Sequence, residues 1–275
     1  MDRLANGWRI ATASWRVLSR DSELIAVPVI AAVAAAVAFA VVAGPGVLLL
    51  GGSDAAQASD VALWLVLVAA SVLASWVVAI GSAAVVAGAA ERMGGGEPTL
   101  GSAFAVARSR AGRLLGWAVL ATVVSIVLDL LEERLGFLGR MVSWIAGTAF
   151  GVVSFLALPV IVFEDVGAIA GLKRSARLLR STWGEQLAFN FGLGLLGFFA
   201  VLPALALAAG LIATGLVPLQ VVGIVVAAAW IVVCMAVTSA LSAVFKAALY
   251  RWAVGLPVDP AFDAGELTGA FRDRR

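Results

Sequence analysis

Long apolar runs broken by short polar stretches set the pattern of this chain. Runs at 24–50, 61–90, 114–131, 141–163, 187–215 and 219–246 each reach the ~17–25 residues that a membrane-crossing helix needs. In lipid a chain must satisfy its backbone hydrogen bonds within itself, so helices are the expected form. The first run exceeds the apolar core of a secretory signal and is expected to be retained as a helix. The breaks are GGSDAAQASD, GGGEPT at 94–99, EERLGFLGR at 132–140 and a short turn around Pro218. Pro45, between two glycines, is expected to fray the end of the first run, and Pro159 to bend the fourth. The sixth stays apolar past Lys246 to Val254, so its last turns should stand beyond the bilayer or bend. The expected fold is all-α: one integral membrane domain over 1–275, a polytopic bundle of six transmembrane helices, with 1–23 as an amphipathic lead and 257–275 as a polar tail.

A weaker pattern precedes each pair of runs. Leu4, Trp8, Ala11, Trp15 and Leu18 recur at the spacing of one helical face, and Leu100, Phe104, Ala107, Ala111 and Leu114 repeat those offsets. In 168–183, Ile169, Leu172, Ala176, Leu179 and Trp183 form an apolar sector beside Lys173, Arg174 and Arg177. Such segments suit helices lying on a membrane surface. Two readings stand: three repeats of a surface helix plus a hairpin, or the ordinary basic loops of a six-span protein. Low residue identity between the segments favours the second slightly.

Composition agrees: 63% of residues are hydrophobic, 13% are charged, and mean hydropathy is +1.06. Charge distribution supplies the orientation. With six spans, seventeen Lys and Arg residues fall on the side of the termini and only Arg134 and Arg140 on the other. The positive-inside rule then places both termini in the cytoplasm.

Candidate chemistry is sparse. There is no His and one Cys, which removes His-based triads, Cys/His metal sites and disulfides; no metal or cofactor is expected. Ionisable residues near a membrane centre are absent, Asp129 lying towards the outer end of the third run. Glu164 and Asp165 are adjacent and therefore diverge on a helix, so Asp165 is read as the cap of the segment that follows. Ser71, Ser75, Ala79, Ala83 and Ala87 form a small-residue stripe suited to helix packing, or alternatively to a polar path. Cys234, Thr238, Ser242 and Lys246 share a face of the sixth run, either as a polar groove or as packing with a snorkelling lysine.

The stretch FEDVGAIAGLKRSARLLRSTWGE (163–185) concentrates Lys173, Arg174, Arg177 and Arg180; Arg108, Arg110 and Arg113 form the preceding basic group. Each cation near an anionic leaflet contributes about 1 kcal/mol, so these residues are candidates for contact with lipid headgroups or a partner protein. Nucleic acid is not an expected partner; the candidates are anionic lipid of the inner leaflet and either a partner protein or another copy of the chain. LPVIVFEDVGAIAGLKRSARLLRSTWGE, together with GWRIATASWRVLSRDSEL, resembles an uncharacterised, mainly actinobacterial family of six-span membrane proteins carrying a domain of unknown function. A looser likeness links the same run to the membrane domain attached to some glycerophosphodiester phosphodiesterases, but this chain lacks their soluble catalytic barrel. The resemblance implies a bacterial plasma-membrane location and a fold, and supplies no mechanism. The expected role is non-enzymatic, with a basic cytoplasmic face on anionic lipid or a partner. The alternative is a small permease or channel for a neutral or lipidic solute; a lipid-modifying enzyme ranks below both.

Overall fold

The computed structural model describes Ser14 and residues 22–50, 58–179 and 200–257. Among them there is no strand. The helices are α1 (Ser22–Leu50), α2 (Ala58–Met93), α3 (Leu100–Ser109), α4 (Ala111–Val153), α5 (Ala157–Glu164), α6 (Ala168–Leu179), α7 (Ala200–Ala213) and α8 (Val217–Ala253). Four continuous apolar stretches are long enough to cross a membrane: Ala26–Leu50, Asp60–Met93, Ala111–Glu164 and Val217–Ala253.

The third of these folds back on itself. Gly136 takes φ 57 and ψ −123, a backbone state closed to residues with a Cβ, and reverses the direction of α4. The arms on either side are tied by Ser143 Oγ, which donates to the Leu128 carbonyl at 2.7 Å. The Trp117 and Phe150 rings stack with centroids 6.1 Å apart. The polar break expected over 132–140 is thus helical on both sides of one glycine. The bend expected at Pro159 falls earlier, at 154–156, and Pro159 sits in the first turn of α5, where a missing N–H costs nothing. Neither Pro28 nor Pro45 ends α1.

One end of the bundle holds most of the core. The last turns of α2 (Ala83–Ala90) and of α8 (Ala240–Tyr250) bury together with Val27, Leu114, Val160, Ile161 and Leu179. Alanine dominates because small side chains let helix axes approach closely, and Gly81 lies directly against Ala31 where α1 crosses α2. α2 packs against α1, α3, α4, α5 and α8 and is the axis of the assembly. α8 runs unbent to Ala253, so the turns beyond Lys246 pack into this core.

Elsewhere the bundle presents apolar surface. Leu48, Leu65, Val123, Trp144 and Val225 are each at least half exposed, as hydrocarbon-facing positions would be. α7 and α8 meet through Ala204, Ala208 and Ala227. Towards the end opposite the core, α2 and the first arm of α4 part around a cavity of about 430 Å³.

Candidate functional site

The core-bearing end carries most of the described lysines and arginines. Its construction begins at α3. Pro98 precedes Thr99, which caps α3 by accepting from Ser102 N–H at 3.1 Å, while Ser102 Oγ accepts from Thr99 N–H. Ser102 Oγ also donates to Glu91 at 3.0 Å, fixing α3 to the end of α2. Arg110 alone separates α3 from α4, with φ −104 and ψ 6. The α5–α6 corner comes next. Asp165 ends α5 in the left-handed conformation (φ 56, ψ 41), and α6 begins three residues later. The capping role expected for Asp165 is therefore replaced: its carboxylate forms ion pairs with Arg110 and Arg113. Arg110 Nε also donates to the Val162 carbonyl at 3.2 Å.

Glu164 faces another way. Arg174 Nε donates to both its oxygens, at 3.0 and 3.2 Å, and the Tyr250 hydroxyl lies 3.3 Å from Oε1. The Phe163 and Tyr250 rings stack at 5.2 Å. Inside the corner, the Leu156 N–H donates to the buried Ser175 Oγ at 3.1 Å, and Gly171 gives α6 close access to Ile161 of α5. Arg251 closes the end of α8 with Nη1 donating to Ala90 O at 3.1 Å and Nε to Pro257 O at 2.8 Å.

The expected basic residues thus divide into two groups. Arg110, Arg113 and Arg174 are held by the two acidic residues of the corner. Arg108, Lys173 and Arg177 are exposed, with no ion-pair partner among the described residues. Arg180 and Trp183 lie outside the described residues, as does the 4–18 segment except Ser14. α6 also turns differently from the expected wheel. Gly171, Ser175 and Leu179 face inwards, and Ile169, 63% exposed, shares the outer stripe with Lys173 and Arg177.

A family model described as a family of unknown function (DUF6159) matches residues 61–257. The chain belongs to this family. No curated protein matches it. The DUF6159 match starts within α2 and ends just past α8, so it takes in the whole charged corner and leaves α1 outside.

On the face of Cys234, Thr238, Ser242 and Lys246 in this DUF6159 chain, two polar groups have partners: Thr238 on its own helix and Lys246 on an aromatic ring. Thr238 Oγ1 donates to the Cys234 carbonyl at 2.8 Å, with the Met235 carbonyl at 3.1 Å. Lys246 Nζ stands 5.1 Å from the Phe155 ring centre, a cation–π contact. Tyr250 and Ser175 were not singled out from sequence. Their signal is faint: one is the only tyrosine, and the other sits four residues after Gly171 on the small face of α6.

Proposed function

We propose that this protein is a six-span plasma-membrane protein whose basic end faces the cytoplasm and holds anionic lipid headgroups against Arg108, Lys173 and Arg177. The six passes are α1, α2, the two arms of α4 with α5, a fifth that includes α7, and α8. The observation that carries the reading is the outer stripe of α6. An exposed isoleucine at the head of a stripe of cations suits a helix that dips an apolar residue into a leaflet while its charges meet phosphate. Arg110 and Arg113 share the Asp165 carboxylate and Arg174 takes Glu164, so the selectivity for anionic lipid is assigned to the three cations with no ion-pair partner among the described residues. No chemistry is assigned to the chain, and the packed alanine core at the basic end favours a scaffold over a conduit.

The test uses nanodiscs of mixed phosphatidylglycerol and phosphatidylcholine, with the lipid retained by the protein measured by native mass spectrometry. At about 1 kcal/mol per cation, Arg108→Gln, Lys173→Gln and Arg177→Gln together should lower phosphatidylglycerol enrichment at least tenfold. Unchanged enrichment in the triple variant rejects the proposal.

A further inference from the structure

Arg110 and Arg113 share a single counter-charge. Both guanidiniums meet the same atom, Oδ1 of Asp165, and no other carboxylate among the described residues pairs with either. The cluster therefore holds two positive charges against one negative. Glu164, one residue away, does not make up the difference, because Arg174 takes it. Arg110 is aimed as well as charged: its Nε donates to the Val162 carbonyl at 3.2 Å while Nη1 turns to the acid. The acid is held less comfortably. Among the described residues Asp165 is the only non-glycine with a positive φ, 56°. Residues with a Cβ avoid that state, and where they keep it the site often has a function. The cluster is also open to approach. The Asp165 and Arg113 side chains are each 40% exposed, and Arg110 is 28% exposed. Nothing stands within 4 Å of the Cβ position of Gly112, beside Arg113, or of Gly167, two residues past Asp165.

We propose that Arg110 and Arg113 form a binding site for a phosphate monoester, in which the Asp165 carboxylate is the internal stand-in that the phosphate displaces. The convergence of two guanidiniums on one anionic oxygen already shows the pair gripping an anion. A monoester answers the charge excess, since it carries close to two negative charges at neutral pH whereas a carboxylate or a phosphodiester brings one. It also offers three acceptor oxygens, so each guanidinium fork takes its own instead of sharing Oδ1. Ion pairs this exposed are weak, so a second negative charge on the incoming group is enough to tip the exchange. Displacement also releases Asp165 from its left-handed backbone. Arg108, Lys173 and Arg177 take no part, so this site stands or falls apart from the lipid contact proposed for those three.

Such a phosphate arrives either as the headgroup of phosphatidic acid or on a small water-borne ester. The experiment uses the full chain in phosphatidylcholine nanodiscs doped with phosphatidic acid or, as the diester control, with phosphatidylglycerol. Retained lipid is read by native mass spectrometry, and binding of glycerol 3-phosphate to the undoped nanodiscs by isothermal titration calorimetry. Phosphatidic acid should be retained roughly threefold or more over phosphatidylglycerol, the effect of its second charge at exposed guanidiniums. Arg113→Gln should remove that preference. Asp165→Asn, which keeps the left-handed backbone and takes away the competing charge, should raise it by about fivefold, or ~1 kcal/mol. The preference should persist when Arg108, Lys173 and Arg177 are all glutamine, which separates this site from theirs. Saturable binding of glycerol 3-phosphate that follows the same two variants identifies the water-borne ester as occupant; preference for phosphatidic acid without it identifies the lipid. Equal retention of the two lipids with no glycerol 3-phosphate binding, binding unchanged in Arg113→Gln, or binding not raised in Asp165→Asn overturns the proposal. Should Arg113→Gln fail to fold, Asp165→Asn decides alone, because misfolding cannot imitate a gain.

Discussion

Trp76 and Trp230 stand away from the predicted membrane interfaces, where a tryptophan N–H is hard to satisfy. Each is provided for by one carbonyl: Trp76 Nε1 donates to Ala111 O and Trp230 Nε1 to Ala200 O, both at 2.8 Å. No periodicity in sequence reveals such bonds, because they join residues 35 and 30 positions apart. Glycines divide as sharply. Gly81 touches Ala31, so any side chain there pushes α1 off α2, whereas nothing stands within 4 Å of the Cβ position of Gly151. Gly81→Val should cost about 1–3 kcal/mol, and Gly151→Ala should stabilise by about 0.5–1 kcal/mol, both read by thermal unfolding in detergent. Gly147, four residues before Gly151, is intermediate: a Cβ there would meet the Leu128 side chain at 3.4 Å, an ordinary contact.

Among elements, α6 shows what charge patterning conveys and what it hides. Its existence and amphipathic character were legible from spacing alone, since cations and apolar residues recur there at helical steps in an oily chain. Which cations are unpaired was not legible. That depends on Arg110, Arg113 and Arg174 meeting Glu164 and Asp165 across a corner that sequence gave no reason to fold this way. The wheel also centred on the largest apolar residues, whereas the helix docks through its smallest, Gly171 and Ser175, which admit α5 closely. The corner makes a graded prediction. Asp165→Asn tolerates the left-handed backbone but leaves two guanidiniums facing each other. It should lower stability by about 1 kcal/mol, the pairs being partly exposed. Asp165→Ala adds the left-handed penalty, about 1–2 kcal/mol more, measurable in the same unfolding assay. On α2 the small-residue stripe packs the core through Ala79, Ala83 and Ala87, while Ser71 and Ser75 line the cavity beside α4.

For the whole molecule, the length of apolar runs was enough to anticipate long apolar helices at α1, α2, α8 and the two arms of α4. It did not show that the fourth run breaks at 154–156 or that α8 continues unbent to Ala253. Hydrophobic length is a local property, which a single sequence records well. Where the core gathers is not local, and the concentration of burial at one end came only with the packing. Amides of 240–250 should therefore exchange at least tenfold more slowly than those of 217–230 in detergent micelles, by hydrogen–deuterium exchange mass spectrometry; equal rates would remove the idea of a one-sided core.

The reversal at Gly136 bears on how the chain enters a bilayer. Between 132 and 140 the tip carries Glu132, Glu133, Arg134 and Arg140, two charges of each sign within nine residues. A membrane potential works on net charge, at about 2.3 kcal/mol per elementary charge per 100 mV. In the proposed orientation this tip must be carried outwards, and two arginines alone would oppose that movement. Balanced by two glutamates, the tip crosses with almost no electrical work, which is how the only two cations assigned to the outer side come to be there.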